Sequence, residues 1–217
     1  GQVYPALDLS NNQFSGIITP DICSYFLPWE HPFMDSLISF NNNNFCPPYP
    51  YCTTDIIENQ DISNCVPLSH NGPVWYVSND GSDDTGDGSE QFPFYSIQNG
   101  IHYATDGDTV YVLSGIYIEN ISFNGKNIMV AGEDRNTTII DGNQAESVVE
   151  INGGVDTSAV LKGFTLKNGL ADEYSIHPSP FAGDGGGISI TNSSSPTITD
   201  LIIKDNEAGV GGGISIK

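Results

Sequence analysis

The residues best equipped for chemistry fall in two acidic loops, a small set of lysines and four cysteines. The loop Asn79-Asp-Gly-Ser-Asp-Asp-Thr-Gly-Asp-Gly-Ser-Glu90 gathers carboxylates among glycines. Carboxylate and carbonyl oxygens on a tight loop are the ligands Ca²⁺ takes, so Asp80, Asp83 and Asp87 are candidate ligands for it. The spacing is not that of an EF-hand: counted from Asp83, the twelfth residue is Phe94, where that motif requires Glu. The plain alternative is a solvated acidic turn. A second loop runs from Ala171 to Asp184 and interrupts an otherwise regular pattern. Loops that protrude from a regular scaffold are where binding usually sits. Tyr174, His177 and Phe181 could contact a sugar there, and Asp172, Glu173 and Asp184 could hold a cation. Lys167 and Lys204 fall at equivalent positions of two repeats and should stack on one face. Cys23, Cys46, Cys52 and Cys65 form an even set in the first third of the chain, which reads as two disulfides and an oxidising compartment. Of the three pairings, Cys52 with Cys65 is favoured, because the short irregular stretch between them needs a staple.

Charge narrows the partners. The chain has 217 residues, with 27 acids against 6 basic residues, and none of the basic residues precedes Lys126. Such a surface repels phosphate backbones and anionic lipid, so nucleic acid and membrane partners are not expected. No apolar run approaches the ~18 residues of a bilayer-spanning helix. A polysaccharide or a cell-surface glycoprotein fits better, with an extracellular or cell-surface location.

The elements that must position these groups are repeats. Gly185-Gly-Gly-Ile-Ser-Ile190 returns unchanged as Gly211-Gly-Gly-Ile-Ser-Ile216, and Leu161–Asn168 aligns with Ile198–Asp205. Self-similarity at this period marks a solenoid. Short β-branched runs separated by Gly, Asn and Asp, without a helical period, predict coils of parallel β-structure with rungs about 4.8 Å apart. Ahead of them, Phe94, Ile97, Ile101 and Ala104 stand at helical spacing and predict a short helix covering the first rung. Tyr111 and Tyr117 alternate with buried-type residues and are expected to point outward, where they could stack on a glycan. His70, in the turn-rich stretch 67–73, reads as a solvated loop histidine. Asn120-Ile-Ser, Asn136-Thr-Thr and Asn192-Ser-Ser match the N-glycosylation pattern, but chance matches are frequent and none is expected to be used.

Two resemblances follow from these motifs. Residues 75–142 hold a strand, a Gly/Asp loop, Pro93-Phe-Tyr-Ser-Ile97 with Ile101, and Gly107-Asp-Thr-Val-Tyr-Val112 with Gly115-Ile-Tyr117. This order resembles the opening of pectate-lyase-like right-handed parallel β-helix proteins. The Gly-Gly-Gly-Ile phrases resemble repeats of polymorphic outer-membrane proteins. Upstream, Leu7-Asp-Leu-Ser-Asn-Asn-Gln-Phe14 and Ile38-Ser-Phe-Asn-Asn-Asn-Asn-Phe45 resemble leucine-rich repeats, with Cys46 to Cys65 as the closing cap.

The expected architecture is therefore mainly β. A leucine-rich-repeat end and disulfide cap (1–66) and a linker (67–73) precede a right-handed parallel β-helix with a short capping helix (74–217). The strand pattern reaches Ile214-Ser-Ile-Lys217, so the β-helix is expected to continue. The expected function is non-catalytic binding or adhesion along a β-helix face. The alternative is a Ca²⁺-dependent polysaccharide lyase or a glycoside hydrolase. The lyase likeness implies a Lys or Arg base, drawn from Lys126, Arg135, Lys162, Lys167 or Lys204. A hydrolase needs clustered acids. The adjacent pairs Asp83-Asp84, Glu133-Asp134 and Asp172-Glu173 lack the alternate spacing that would aim both into one cleft, so no residue is assigned to catalysis.

Overall fold

The structure is a computed structural model, which describes residues 7–18, 38–47, 49, 53, 56–65, 69–171 and 185–217. The chain divides into two compact units, Gly1–Pro67 and Leu68–Lys217.

In the first unit, β1 (Leu7–Asp8) pairs in parallel with β3 (Ile38–Ser39), and β2 (Ser15–Ile17) pairs in parallel with β4 (Asn44–Cys46). The repeat offset read from the sequence is thus the register in space. Asn12 Nδ2 donates to the Leu9 and Ser10 carbonyls, and Asn43 Nδ2 donates to those of Leu9 and Phe40. A third rung follows that the sequence pattern did not reveal. Phe40 N donates to Ile56 O at 2.7 Å, Asn42 N to Glu58 O at 3.1 Å, and Asp61 N to Asn43 O at 2.7 Å. Gln60 takes the place of Asn43 in this rung, donating to the Phe40 and Ile57 carbonyls and accepting from Phe45 N. Asn11, Asn42 and Asn59 share the left-handed conformation at equivalent positions.

The stacking of that rung explains a correction. Cys65 pairs with Cys46, with Cα atoms 5.6 Å apart, and not with Cys52. Residues 56–61 run beside 40–43, and a turn closed by Cys65 N on Ile62 O then brings Cys65 to the end of β4. Local looseness around Cys52 was therefore a poorer guide than the stacking of rungs. Cys23 and Cys52 lie outside the described residues.

Among the described residues of the second unit every strand pairing is parallel, and the chain visits the same sheets in turn. β5 (Val74–Val77), β6 (Thr109–Val112), β9 (Met129–Gly132), β12 (Val160–Lys167), β10 (Thr138–Asp141) and β7 (Gly115–Ile118) lie in that order in one sheet, with β15 (Thr197–Lys204) also on β12. A second sheet runs β17 (Ile214–Ile216), β14 (Ile188–Ile190), β11 (Val149–Ile151), β8 (Ile121–Ser122). β13 (Leu170–Ala171) pairs with β16 (Glu207–Ala208). The duplicated phrase stacks on itself, Ile188 on Ile214 and Ile190 on Ile216, and Leu161 to Lys167 lie against Ile198 to Lys204. This course is compatible with a β-helix.

Side chains one rung apart form apolar ladders into a shared core: Tyr117, Ile140 and Leu166 from the first sheet, and Ile121, Val149 and Ile188 from the second. Each fully buried aliphatic side chain is worth roughly 1.5–3 kcal/mol. β12 stays continuous across two shorter strands of the preceding rung because Gly163 adopts φ +79°. A Cβ there would collide with the Gly132 carbonyl, so both the turn and the close approach require glycine. Because that bend resets the alternation, Phe164 faces in while Lys162 and Lys167 face out.

The expected helix is present as α1 (Ile97–Tyr103), packed on β5, β6 and β8, with Phe94, Ile97, Ile101 and Ala104 all buried. Gly100 permits that packing, since a Cβ there would lie 2.8 Å from a Val110 methyl and 3.0 Å from one of Val77.

Two expectations about direction are corrected. Tyr117 points inward and is 2 % exposed, while its neighbours Ile116 and Ile118 are 54 % and 68 % exposed. Its hydroxyl reaches back to donate to Leu113 O at 2.8 Å, and this polar tether lets the ring sit in the core. Burial pushes the phenol up to about 12. His70 is half-buried rather than solvated. Its Nε2 lies 2.6 Å from Val74 O, and its ring stands edge-on to Trp75 at 5.1 Å.

Candidate functional site: the outer face of the long sheet

Four of the six basic residues of this acidic chain lie on the outward side of the long sheet or on the turn at its edge. In-register stacking makes outward rows on the first sheet. One row is Tyr76, Tyr111, Ala131, Lys162 and Thr199, in which Ala131 is itself covered. Another is Ile118, Asp141, Lys167 and Lys204, and a third begins with Ile116 and Ile139. Rungs about 4.8 Å apart place Lys162 roughly 14 Å along the row from Tyr76. The Tyr76 and Tyr111 rings meet edge-to-face at 5.8 Å. Arg135 sits on the turn between β9 and β10 and pairs with Asp200 of β15 at 3.0 Å, crossing over β12. Beneath it, Thr165 Oγ1 donates to Arg135 O at 2.6 Å, which fixes the turn against the sheet.

Lys167 and Lys204 are thus direct neighbours on successive rungs, and their roles differ. Lys167 Nζ lies 2.9 Å from Asp141 Oδ2, and Asn168 Nδ2 donates to both oxygens of that carboxylate at 3.0 Å. Burial raises the Asp141 pKa, but hydrogen bonds from Lys167, Asn168 and Asn143 N–H, with the Lys167 charge, outweigh it and hold the carboxyl below its ordinary value. Among the described residues, neither Lys204 nor Lys162 has a carboxylate at ion-pair distance. The surface combines aromatic faces, exposed isoleucines and ammonium donors. Such a mixture can stack on the apolar faces of sugar rings and hydrogen-bond their hydroxyl or carboxylate oxygens.

The acidic loop has a different occupation. Asp83 Oδ1 accepts from Tyr95 N at 2.9 Å and Ser96 N at 3.1 Å, at the start of α1. Asp87 accepts from Ser89 N at 3.0 Å and from the Ser69 hydroxyl. The Ser69 and then the Ser89 hydrogen bonds hold its carboxyl below its ordinary value against a small opposing effect of burial. Asp80 is exposed, and its backbone N donates to Ser78 Oγ. Among the described residues no three His, Cys, Asp or Glu side chains converge as a metal-holding group, so these three aspartates are not brought together. Asp172, Tyr174, His177, Phe181 and Asp184 lie outside the described residues.

Sequence reading did not anticipate two charged groups that finish α1. Glu119 accepts from Ile97 N at 2.9 Å and Gln98 N at 3.0 Å, and burial raises its pKa despite those bonds. Lys126 Nζ donates to Ile101, His102 and Ala104 carbonyls, each at 2.8 Å, at the other end. Burial lowers Lys126 to about 8, although Asp106 and Asp108 act in the opposite direction. An acid at the start and a base at the end of a helix complement its dipole, but the partners are far apart in sequence and only the fold joins them. Lys126, one of the bases available to a lyase reading, is therefore engaged in holding the helix.

Compared with models of known protein families, with characterised proteins and with solved structures, the chain matches none.

Proposed function

We propose that residues 74–217 form a right-handed parallel β-helix covered at its start by α1. Residues 1–66 are then the end of a leucine-rich-repeat domain with its disulfide cap, and 67–73 join the two. In this reading the protein is a secreted or cell-surface, non-catalytic scaffold that binds glycans or surface glycoproteins along the outer face of the long sheet. The observation that carries it is the gathering of Tyr76, Tyr111, Lys162, Lys204 and the Lys167–Asp141 pair on that face, in a chain of net charge −21. A disulfide between Cys46 and Cys65 is compatible with an extracellular location, and no helix among the described residues is long and apolar enough to cross a membrane.

The test is binding of the chain to a panel of neutral and uronate-containing polysaccharides, alone and with Tyr111→Ala and Lys162→Ala. Both side chains face outward, so the fold should survive both changes. Each is expected to weaken binding about tenfold, the equivalent of ~1.4 kcal/mol. Unaltered binding in both variants, or unsaturated product released from uronate polymers with Ca²⁺ present, would overturn the reading.

A further inference from the structure

The Asn-x-Ser/Thr pattern occurs at Asn120, Asn136 and Asn192, and the fold treats the three differently. Asn120 is half-buried between β7 and β8. Its Nδ2 donates to Ser147 O at 3.0 Å and Glu146 O at 3.3 Å, and a Cβ on Gly142 would lie only 3.2 Å from that nitrogen. A sugar on this amide would displace backbone of the neighbouring rung. Asn136 is exposed, on the turn between β9 and β10, where Nδ2 donates to Asp134 Oδ1 at 2.8 Å. An amide has two N–H hydrogens, so one remains for another use. Asn192 is exposed on the turn after β14, with φ +56°. The Cys46–Cys65 bond independently points to folding in an oxidising compartment, where this acceptor pattern is used on surface loops of secreted proteins.

We propose that Asn136 and Asn192 are acceptors for N-linked glycans and that Asn120 is not. The proposal rests on the extracellular placement in the reading above. The donor is a lipid diphosphate-linked oligosaccharide. A bond forms between Asn Nδ2 and the anomeric carbon, and the anomeric carbon–oxygen bond to phosphate breaks. The lipid diphosphate leaves with that electron pair, and Nδ2 releases one proton. At Asn136 the second N–H keeps its bond to Asp134. The hydroxyl residues two positions on are buried: Thr138 Oγ1 accepts from Asp134 N at 3.3 Å, and Ser194 Oγ from Gly154 N at 3.1 Å. Transfer therefore precedes closure of these turns, on the nascent chain, and a chain that took sugar at Asn120 could not stack its rung, so the folded, secreted chain is bare there. A glycan on Asn136 then stands beside Arg135 at the border of the outer face.

The experiment is secretion of the full 217-residue chain behind a cleavable leader from a eukaryotic host, followed by glycopeptide mass spectrometry. Sugar is expected at Asn136 and Asn192, with an unmodified Asn120. Asn136→Gln and Asn192→Gln should each remove one glycan step in mass. Should either variant fail to be secreted, the wild-type glycopeptide map decides alone. A secreted, Cys46–Cys65-bonded chain that is bare at Asn136 or Asn192, or that carries sugar at Asn120, overturns the proposal. This map reads attachment and not polysaccharide binding, so loss of the scaffold reading leaves it standing.

Discussion

Asn43 in the first unit and Phe164 in the second hold corresponding jobs. Each is buried beside a stacked rung, at 2 % and 0 % exposure. Asn43 works through polarity: its amide donates to the Leu9 and Phe40 carbonyls and accepts from Phe14 N, joining one rung to the next. Phe164 works through volume, within a core that runs from Trp75 to Ile190. The buried apolar cluster described in the first unit is small, namely Ile18, Phe40 and Ile57 with partly buried neighbours. Where the described apolar cluster is this small, stability leans more heavily on hydrogen bonds that only one side-chain type can make.

The contrast is sharpest under substitution. Phe164→Ala should cost roughly 3–5 kcal/mol, and Phe164→Leu should recover most of it, because the site asks for volume. Denaturant unfolding followed through Trp75 would measure both. Asn43→Ala should cost about 2–3 kcal/mol of first-unit stability, since the Leu9, Phe40 and Asn41 carbonyls and the Phe14 N–H lose the Asn43 amide. Here Asn43→Leu should rescue nothing, despite its similar size. Hydrogen exchange at Phe14 N–H, the group that Asn43 Oδ1 accepts, would report the loss. If leucine were tolerated at Asn43 as it is at Phe164, the distinction between the units would fail.

The disulfide sharpens the comparison from another side. It closes a sequence separation of 19 residues, over which chain-entropy reasoning gives ~3 kcal/mol. Replacing Cys46 and Cys65 together by Ser should lower the unfolding transition of the first unit by that order. The transition reported by Trp75 should stay in place, because no cysteine lies beyond Cys65. A shift of both transitions together would show that the units do not unfold separately.

What could be read from the sequence follows the same division. The parallel stacking of the second unit was legible, because the ladders repeat residue for residue and aliphatic periodicity is a local signal. The helix was legible from Phe94, Ile97, Ile101 and Ala104. In the first unit the third rung escaped, because Gln60 replaces the amide and follows Asn43 by fewer residues than Asn43 follows Asn12. The Cys46–Cys65 bond depends on that hidden rung, so its pairing is not legible from the local sequence around Cys52. Tyr117 was misdirected because Ile116 and Ile118 have the composition of a core and the placement of a surface. The stacking of Lys167 on Lys204 was visible as a repeat. The Asp141 partner was not, because it stands one rung back where the sequence has no copy of the motif.

That partner yields the smallest expected effect. The Asp141 carboxyl sits below its ordinary value of 3.8 in the folded chain, so its contribution is present in full above that value. It disappears as pH falls through the folded pKa, because protonation removes the charge that Lys167 and Asn168 hold. Asp141→Asn should therefore lower stability by about 1 kcal/mol at neutral pH, as befits a half-buried ion pair. The gap between wild type and variant should close as the medium is acidified below pH 3.8. Lys167→Met should narrow the same gap by removing the cation, and the double variant should cost less than the two single changes combined. Phe164→Leu offers the control, since a residue acting through volume has no proton to gain and its cost should not vary with pH. A pH-independent Asp141→Asn difference would mean that this outward row, like the core beneath it, is held by packing and not by charge.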